Sequence, residues 1–312
     1  MRPIDLTFMS PPGEVADWRM VLLCDVAVSS GLLAALPGTP EDIGGRVGLD
    51  AHAVRVVLDA LGPWGVVQST NGSYAAGPEA PDDEAAASIS HHARALRRWA
   101  AALDSRLRGD TGGDPIGMAS PESFHDSLAV TARRTAPQIV DVCLSRFPDA
   151  KTVLDLGGLH GEYSLEFTRR GLRATMQDMP AMIDVARKRG RLEAAGVDLY
   201  EGSFFESVPE GPFDLAFCSG ITHTFDGDGN LALYRNLRPV VTAAGGIAVV
   251  TFVRNRNPIS ELFAVQMLLN AKGGDTHTED EYRTWLGAAG FTVDEGVVEV
   301  PEQAGRSVLF AT

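Results

Sequence analysis

A glycine-rich turn with a carboxylate downstream of it is the clearest sign of chemistry in the sequence. The run 152–156 is short and apolar, as expected of a buried parallel strand, and three glycines follow it: Gly157, Gly158 and Gly161. Glycines there allow a tight turn and let the backbone approach a ligand closely. Asp178 follows about 20 residues later, where a nucleotide-binding βαβ unit places the acid that accepts from ribose hydroxyls. The spacing indicates a nucleotide-containing ligand, although several nucleotide-binding folds share it.

His223 is the best candidate for a group that moves a proton. It follows the apolar run 215–218, the fourth strand of the predicted sheet. Open α/β sheets place their sites at the carboxyl ends of such strands. An imidazole with a pKa near neutrality can take the proton of a phenol or another acidic hydroxyl while the oxygen attacks. The alternative is a loop histidine without a chemical role.

Seven apolar runs predict the sheet that positions these residues. They cover 152–156, 174–177, 197–200, 215–218, 247–252, 291–300 and 307–311. The first six alternate with helical segments, which predicts an α/β fold with a parallel sheet and helices on both faces. The last run follows a turn at 302–305 and is expected to pair antiparallel.

The N-terminal region has a winged-helix pattern. Helices are expected over 15–36, 40–47 and 51–61, the last capped by Asp50, and Asn71-Gly72 then favours a two-residue hairpin turn. A winged helix can bind DNA or mediate dimerisation. The helix over 51–61 offers a DNA groove only one Arg and one His, so dimerisation is the favoured interpretation.

The central region is expected to form two helices between loops. An exposed connection is predicted over 76–87, helical periodicity over 88–107, and a loop rich in Gly and Asp over 108–117. Ser120 then caps a helix that has Pro121 at its first position.

Composition argues against several kinds of partner. A chain of 312 residues is expected to form two domains, and its net charge of −14 repels phosphate backbones and anionic lipid, so neither nucleic acid nor membrane is expected to bind. Cys24, Cys143 and Cys218 are far apart in apolar surroundings, which indicates reduced thiols in a cytoplasmic protein. Neither a leader-like N-terminus nor an apolar run of membrane-spanning length is visible in the sequence.

Six segments resemble, in order and spacing, the S-adenosylmethionine (SAM)-dependent small-molecule O-methyltransferases that carry an N-terminal dimerisation domain. They are Asp155 with the glycine pair 157–158, and the segments 177–180, 202–209, 213–217, 222–226 and 276–291. The resemblance covers residues 150–312 well and the N-terminal part more loosely. It implies a Rossmann-like domain with a seven-stranded sheet at 148–312, a winged-helix domain at 1–80 that forms a homodimer, and connecting helices at 81–147 that roof the active site.

The same resemblance implies roles for particular residues. SAM is expected to bind Asp155, Gly157, Gly158, Asp178, Met179, Ser203, Phe204 and Ser219. The acid at 178 would hold the ribose, and the ring at 204 would stack on adenine. His223 matches the family's general base. A small aromatic or polyketide-like acceptor is expected beside Phe124, Gln266, Met267 and Asn270. For Phe204, together with Phe205, and for Met267 the alternative is core packing.

Several positions depart from the family's pattern. Leu159 stands where the turn carries another glycine, Ser203 where an Asp is usual, Ser219 where a Lys is often found, and Thr224 where an acid follows the histidine. Leu159 is expected either to displace the turn or to reshape the pocket. Without an acid at 224 the base is expected to be weaker. Asp226 or Asp228 could orient the imidazole instead, and the alternative is that both are solvated turn residues. His223 and His277 fall short of a metal triad, so no metal is expected.

The sequence thus favours SAM-dependent O-methylation of a small aromatic acceptor in secondary metabolism, with His223 as the base. A weakened base also suits methylation at carbon or nitrogen of an electron-rich ring, for which proximity to the sulfonium can suffice. Two other classes stay open. One is a SAM-binding relative that transfers no methyl group, motivated by Leu159 and Thr224; the other is a transcriptional regulator, which depends on the winged-helix pattern alone.

Overall fold

The computed structural model describes residues 18–109, 120–271, 273–300 and 305–312. Its contacts divide the chain into two compact units, Met1–Arg97 and Arg98–Thr312, which are described separately below. Helix α4 (Asp83–Leu107) contains the division. No helix within these described ranges is long and apolar enough to cross a bilayer.

The first unit contains helices and a hairpin. Its elements are α1 (Trp18–Ser29), α2 (Pro40–Val47), α3 (Ala51–Leu61), β1 (Val67–Thr70) and β2 (Ser73–Ala76). Thr39 and Asp50 cap the second and third helices, because each side chain accepts a backbone N–H of the first turn. Asn71 and Gly72 both have positive φ and form the predicted turn of the antiparallel hairpin. The apolar faces of these elements pack around Ile43 and Leu58.

Two predicted boundaries in this region are wrong. The helix expected over 15–36 ends at Ser29, because Gly31 takes a φ of +78° and turns the chain while apolar residues continue; residues 15–17 lie outside the described ranges. The exposed connection expected over 76–87 ends early. The Asp82 carboxylate accepts the Ala85 N–H at 2.8 Å, and α4 begins at Asp83 rather than at Ser88.

A seven-stranded sheet forms the centre of the second unit. Its strands are β3 (Thr152–Leu156), β4 (Arg173–Asp178), β5 (Asp198–Glu201), β6 (Phe213–Ser219), β7 (Val241–Phe252), β8 (Val298–Glu299) and β9 (Arg306–Ala311). The order is β5-β4-β3-β6-β7-β9-β8. The first five strands run parallel, and β9 pairs antiparallel with both β7 and β8, as the predicted terminal hairpin requires. The carboxyl ends of the parallel strands therefore meet at one edge, where ligands bind in open α/β sheets.

Helices cover both faces of the sheet. They are α5 (Pro121–Arg146), α6 (Glu162–Arg169), α7 (Pro180–Arg189), α8 (Arg191–Ala194), α9 (Gly227–Leu237), α10 (Pro258–Asn270) and α11 (Glu279–Ala288). The predicted cap of α5 is present, since Ser120 accepts the Ser123 N–H. On one face, Phe217 of β6 packs against Phe167 of α6 in a core that includes residues of α5 and α7. The other buries Tyr234 and Tyr282 of α9 and α11.

The strand predicted over 291–300 is mostly wrong. Only Val298–Glu299 is a strand, and Val293 forms a single bridge with Ala311. The run is interrupted by two acids and by Gly296, whose φ is +76°, so the pairing cannot continue through it. Of the predicted turn at 302–305, residues 302–304 lie outside the described ranges.

Candidate active site

The glycine turn after β3 packs tightly against the loop after β6 and against strand β4. Gly157 has a φ of +63°, and a side chain there would collide with the Cγ2 of Ile221, in the loop after β6. A side chain on Gly158 would approach the Met176 Cγ to 2.5 Å. Gly161 then starts α6 with a φ of +69°. The turn therefore requires glycine at these positions and lies directly beside the loop that carries the candidate base.

Leu159 lies within the turn although it is not a glycine. Its φ is +44°, in the left-handed region that a branched side chain rarely adopts. Its backbone N–H donates to the Oδ2 of Asp178 at 2.8 Å. This hydrogen bond joins the turn to the end of β4. Whether Leu159 displaces the turn or reshapes the pocket relative to the family's pattern stays a prediction.

The Asp178 carboxylate lies at the end of β4, inside the same edge of the sheet. Besides the Leu159 N–H, it accepts the Met179 N–H at 2.7 Å through Oδ1. The carboxylate is mostly buried, and this burial raises its pKa above the ordinary value despite both hydrogen bonds. Met179 itself is exposed. A buried carboxylate that two backbone N–H groups hold in place is suited to accept hydrogen bonds from the hydroxyl groups of a ligand.

Asp155 lies one layer beneath the turn. Its side chain is 1% exposed and accepts the Ser164 hydroxyl of α6 at 2.6 Å. Burial, and to a lesser extent the charge of Asp178, raise the pKa of Asp155 to about 7. The hydrogen bond from Ser164 lowers this pKa but does not offset the effect of burial. The expected contact between Asp155 and the methionine part of SAM stays a prediction, since this carboxyl is already bonded to α6.

Two aromatic rings of the loop after β5 pack against a third ring from the loop after β6. Phe204 and Phe205 lie 5.0 Å apart between ring centroids, and Phe225 lies 5.8 Å and 5.0 Å from them respectively. The Ser203 hydroxyl accepts the Phe205 N–H at 3.2 Å. Ser203 and Phe204 therefore stand at the carboxyl edge beside Asp178, where the resemblance places adenine.

Two amides that sequence reasoning missed hold this loop. Gln177 donates to the carbonyl of Ser207 at 2.7 Å and to that of Gly202 at 3.3 Å. Asn236 of α9 donates to the carbonyl of Phe204 at 3.0 Å. The signal available in the sequence was an amide in the predicted strand directly before Asp178, because a fully buried Gln needs partners.

His223 lies in a single 3₁₀ turn, Thr222–Thr224, that follows β6. Its ring is 7% exposed and meets the ring of Phe263 edge-on at 4.8 Å, and Phe263 in turn stacks on Phe252 at 4.2 Å. No described residue hydrogen-bonds its Nδ1. Burial, with smaller contributions from Arg306 and His277, lowers the pKa of His223 to about 3, so the imidazole is neutral.

Buried donors clamp the segment around His223. Asn230 is fully buried and donates to the carbonyls of Thr222 (2.9 Å), Phe225 (3.2 Å) and Asp226 (3.1 Å). The hydroxyls of Thr222 and Tyr282 lie 3.0 Å apart, and the backbone N–H of residue 275 donates to the carbonyl of residue 223 at 3.0 Å. This clamp was not anticipated, because its donors converge only in the folded chain.

The acids proposed to orient His223 have other surroundings. Asp226 caps α9 by accepting the Gly229 N–H at 2.9 Å, and Asp228 is exposed. The Thr224 hydroxyl donates to the Ile221 carbonyl at 2.6 Å. The expectation that either acid would orient the imidazole is therefore wrong for this arrangement.

His277 contributes to the clamp. Its Nε2 donates to the Phe225 carbonyl at 2.9 Å. Among the described residues, no group of three or more His, Cys, Asp or Glu side chains is arranged to hold a metal ion.

The residues expected to contact the acceptor, and Ser219, which is expected to contact the cofactor, have different surroundings. Gln266 accepts the indole N–H of Trp99, and Asn270 accepts an Arg98 N–H at 3.0 Å, so both amide oxygens are engaged by α4. Met267 is buried in packing. Phe124 is 39% exposed at the start of α5. Ser219 ends β6 and is half-buried at the sheet edge.

The order of the sheet, with the candidate site at its carboxyl edge, is that of a Rossmann-like ligand-binding domain. The model of the O-methyltransferase domain matches residues 123–292, and the chain belongs to this family. The predicted resemblance, the SAM-dependent methyltransferase class and the SAM cofactor of that class are thereby confirmed.

Relatives from bacteria and plants agree with this assignment. Phenazine O-methyltransferase PhzM of Lysobacter antibioticus is 26% identical over 307 residues, which are 90% of this chain and 88% of that protein. The 3-amino-4-hydroxybenzoate 4-O-methyltransferase of Streptomyces cremeus is 33% identical over 155 residues, 47% of this chain and 42% of that enzyme. Flavonoid 4'-O-methyltransferase 4 of Mentha piperita is 29% identical over 196 residues, 59% of this chain and 54% of that enzyme. The chain thus spans about half the length of the latter two relatives.

Solved structures share the fold. The crystal structure of LaPhzM superimposes with a TM-score of 0.78 at 24% identity and covers 95% of this chain and 96% of that one. Human N-acetylserotonin methyltransferase, in complex with SAM, gives a TM-score of 0.75 at 18% identity and 94% coverage of both chains. At these identities the likeness extends to the fold, and it confirms the predicted α/β class with its seven-stranded sheet and helical N-terminal region.

Proposed function

We propose that this chain methylates a hydroxyl group of a small aromatic metabolite, with His223 as the proton acceptor. One observation carries the proposal. The loop that bears His223 contacts the glycine turn, because Ile221 lies against Gly157. The same loop places the imidazole on the stacked rings of Phe263 and Phe252. A cofactor cradle and an aromatic surface thus adjoin one proton acceptor.

The residues of the carboxyl edge suit the proposed cofactor. Ile221 and Met176 leave no space for a side chain at Gly157 or Gly158. This supports a turn whose backbone would contact the ligand. Asp178 would bind the ribose hydroxyls, beside Met179. Ser203 and Phe204 would contact adenine, and Asp155 and Ser219 would lie towards the methionine part. SAM supplies a methyl group on a sulfonium and leaves as S-adenosylhomocysteine.

The chemistry required of His223 is the removal of one proton. As the acceptor oxygen forms its bond to the methyl carbon, the carbon–sulfur bond breaks, and its electron pair stays on sulfur. The hydroxyl proton passes to the neutral imidazole. Because burial holds the pKa of His223 at about 3, the ring is a weak base. It suits an acceptor that is itself acidic, such as a phenol, more than an aliphatic alcohol.

The names of the relatives support an aromatic acceptor. The phenazine, 3-amino-4-hydroxybenzoate and flavonoid enzymes are each named for a ring system. Two are named for a 4- or 4'-O position. An aromatic hydroxyl is therefore the acceptor to test first.

Methylation at carbon or nitrogen is the second candidate. It is favoured by the absence of a described hydrogen-bond partner for the Nδ1 of His223, which leaves the ring without an orienting acid. An electron-rich ring carbon or an amine could react through proximity alone. The position of the transferred methyl group separates the two candidates.

Turnover of His223→Asn tests the role of the base. With phenols as acceptors, we expect a loss of about 100-fold, the low end for general-base catalysis, because this base is weak. Exposed Asp228, changed to Asn on the same segment, is the matched control and should keep wild-type turnover. Wild-type turnover in the His223 variant would remove the base from the mechanism.

We also propose that the chain is a homodimer through its first unit. Apolar side chains are exposed there on α1 and α3, namely Trp18, Val26 and Val56. Light scattering on the purified chain should give twice the monomer mass. Val26→Glu should lower that mass towards the monomer, and a wild-type monomer at all concentrations would contradict the proposal.

A further inference from the structure

Arg306 lies at the carboxyl edge of the sheet although it is distant in sequence from the other residues of the site. It begins β9 and pairs with Phe252, the last residue of β7. Because these strands run antiparallel, the start of β9 meets the carboxyl end of β7. The strand register therefore brings this cation to the site.

The guanidinium of Arg306 is held by neutral groups. It donates to the Tyr163 hydroxyl at 3.1 Å, and its central carbon lies 5.8 Å from the ring centroid of Phe252. The Tyr163 hydroxyl is itself within 3.2 Å of the Thr135 hydroxyl. These contacts fix the position of the side chain while using only part of its five N–H donors.

Arg306 has no ion-pair partner among the described residues, unlike other arginines around the site. Arg133 and Arg191 both bind the buried Glu162, and Arg256 binds Glu279 at 2.5 Å. Arg306 is partly buried at a ligand-binding edge. Since burying an unpaired charge is costly, such a cation is expected to be matched by an anion when the site is filled.

The surroundings of Arg306 connect the two sides of the site. Tyr163 lies in α6, directly after the glycine turn, with its ring 5.8 Å from that of His160. On the other side, Phe252 leads through Phe263 to His223. The charge of Arg306 also contributes to lowering the pKa of both histidines. An anionic group placed between the turn and the base would therefore be near this guanidinium.

We propose that Arg306 binds a carboxylate of a ligand held between the glycine turn and His223. A guanidinium can bind a carboxylate through two parallel hydrogen bonds, which fixes orientation as well as charge. The inference rests on the proposed function, in which two ligands can carry this group. One is the amino-acid end of the cofactor, and the other is the acid group of a phenolic acid acceptor.

Calorimetric binding distinguishes the two sources. The variant is Arg306→Gln, and the matched control is exposed Arg235→Gln on α9. For a cofactor carboxylate, Arg306→Gln should bind S-adenosylhomocysteine about tenfold or more weakly, yet bind 5′-methylthioadenosine, which lacks the amino-acid part, as the wild type does. For an acceptor carboxylate, cofactor binding should be unchanged, and binding of 4-hydroxybenzoate should weaken about tenfold while that of its methyl ester is unchanged.

Tyr163→Phe provides a second variant that keeps the guanidinium but removes its hydroxyl partner. Whichever carboxylate ligand Arg306→Gln weakens, Tyr163→Phe should lower the affinity for that ligand less than Arg306→Gln does. Equal weakening of carboxylate and non-carboxylate ligands by Arg306→Gln, or no change in any, would overturn the proposal in favour of a packing role. So would a wild type that binds none of these ligands.

Failure of the proposed function gives a different result. If the wild type binds S-adenosylhomocysteine but methylates no aromatic hydroxyl, the proposed reaction falls. The binding of S-adenosylhomocysteine and of 5′-methylthioadenosine to Arg306→Gln still decides whether Arg306 binds the cofactor carboxylate.

Discussion

The backbone N–H of Leu159 donates to the Oδ2 of Asp178 at 2.8 Å, while Leu159 holds a φ of +44°. This pair joins the turn after β3 to the end of β4, the two places at which the cofactor is proposed to bind. The strain of a leucine in the left-handed region is thus offset by a hydrogen bond to a mostly buried carboxylate. The turn and the acid are positioned as one unit.

Substitutions of Leu159 should separate backbone strain from side-chain packing. Leu159→Gly removes the left-handed penalty of about 1 kcal/mol but adds a similar entropy cost to folding, so the free energy of unfolding should change little. Leu159→Val should destabilise the chain by about 1–3 kcal/mol, because a β-branched residue is poorly tolerated at this φ. Chemical denaturation measures both. A glycine variant less stable than the valine variant would contradict this account of the strain.

Removing the Asp178 carboxylate should weaken cofactor binding. In Asp178→Ala the N–H groups of Leu159 and Met179 lose their acceptor, and the ribose hydroxyls would lose the acceptor that is proposed for them. We expect a loss in affinity for S-adenosylhomocysteine of about 1.5–3 kcal/mol, roughly 10- to 100-fold, as for hydrogen bonds to a charged group. Calorimetry on this variant and on the exposed control Asp184→Ala of α7 measures it. Wild-type affinity in Asp178→Ala would exclude the ribose role.

Asn230 is predicted to hold the His223 segment in place. Asn230→Ala leaves three carbonyls, those of Thr222, Phe225 and Asp226, without this donor, which should cost about 1–3 kcal/mol of stability. As a positioning residue, it should lower kcat more than it raises the KM for SAM. Asp228→Ala on the same helix is the control. Unchanged kcat with reduced stability would restrict Asn230 to a structural role.

The buried neutral histidines should make the fold sensitive to acid. The pKa of His223 is lowered to about 3 in the fold, against about 6.5 in an unfolded chain. As pH falls from about 6.5 towards 3, the unfolded state gains a proton that the folded state does not, so stability falls by up to about 1.4 kcal/mol per pH unit. Burial likewise lowers the pKa of His160 to about 3, so its effect on stability has the same sign.

Replacing His223 tests this linkage. The free energy of unfolding of His223→Asn should fall less steeply than that of the wild type between pH 6 and pH 4, whatever its value at pH 7. The exposed His52→Asn is the control for loss of an imidazole. Parallel pH profiles of the wild type and the His223 variant would contradict a depressed pKa in the fold.

Local patterns in the sequence were enough to predict the glycine turn, the acid after β4 and the candidate base. Gly157, Gly158, Asp178 and His223 belong to short segments whose spacing alone suggests their chemistry, and the structure places all four at one edge of the sheet. Residues that reach the site through contacts with segments far away in the sequence could not be found in this way. Asn230 is an ordinary helix residue until its three carbonyl partners are known, and Arg306 reaches the site only through the pairing of β9 with β7.

The predicted substrate residues illustrate the same limit. The resemblance placed Gln266 and Asn270 beside the acceptor, but it could not show that Trp99 and Arg98 of α4 would occupy their amide oxygens. Apolar periodicity likewise extended the first helix past Ser29, where a single positive φ at Gly31 ends it. Backbone conformation and neighbouring elements decided these positions, and neither is encoded in hydrophobic spacing.

Transfer of a ¹³C-labelled methyl group from SAM to a phenolic acid, followed by carbon NMR of the product, tests whether the chain methylates oxygen with His223 as the base. We predict one labelled methoxy carbon on the aromatic hydroxyl, formed by the wild type and lost about 100-fold in His223→Asn. A labelled carbon attached to nitrogen or ring carbon, or a methoxy product formed equally fast without the imidazole, would contradict it.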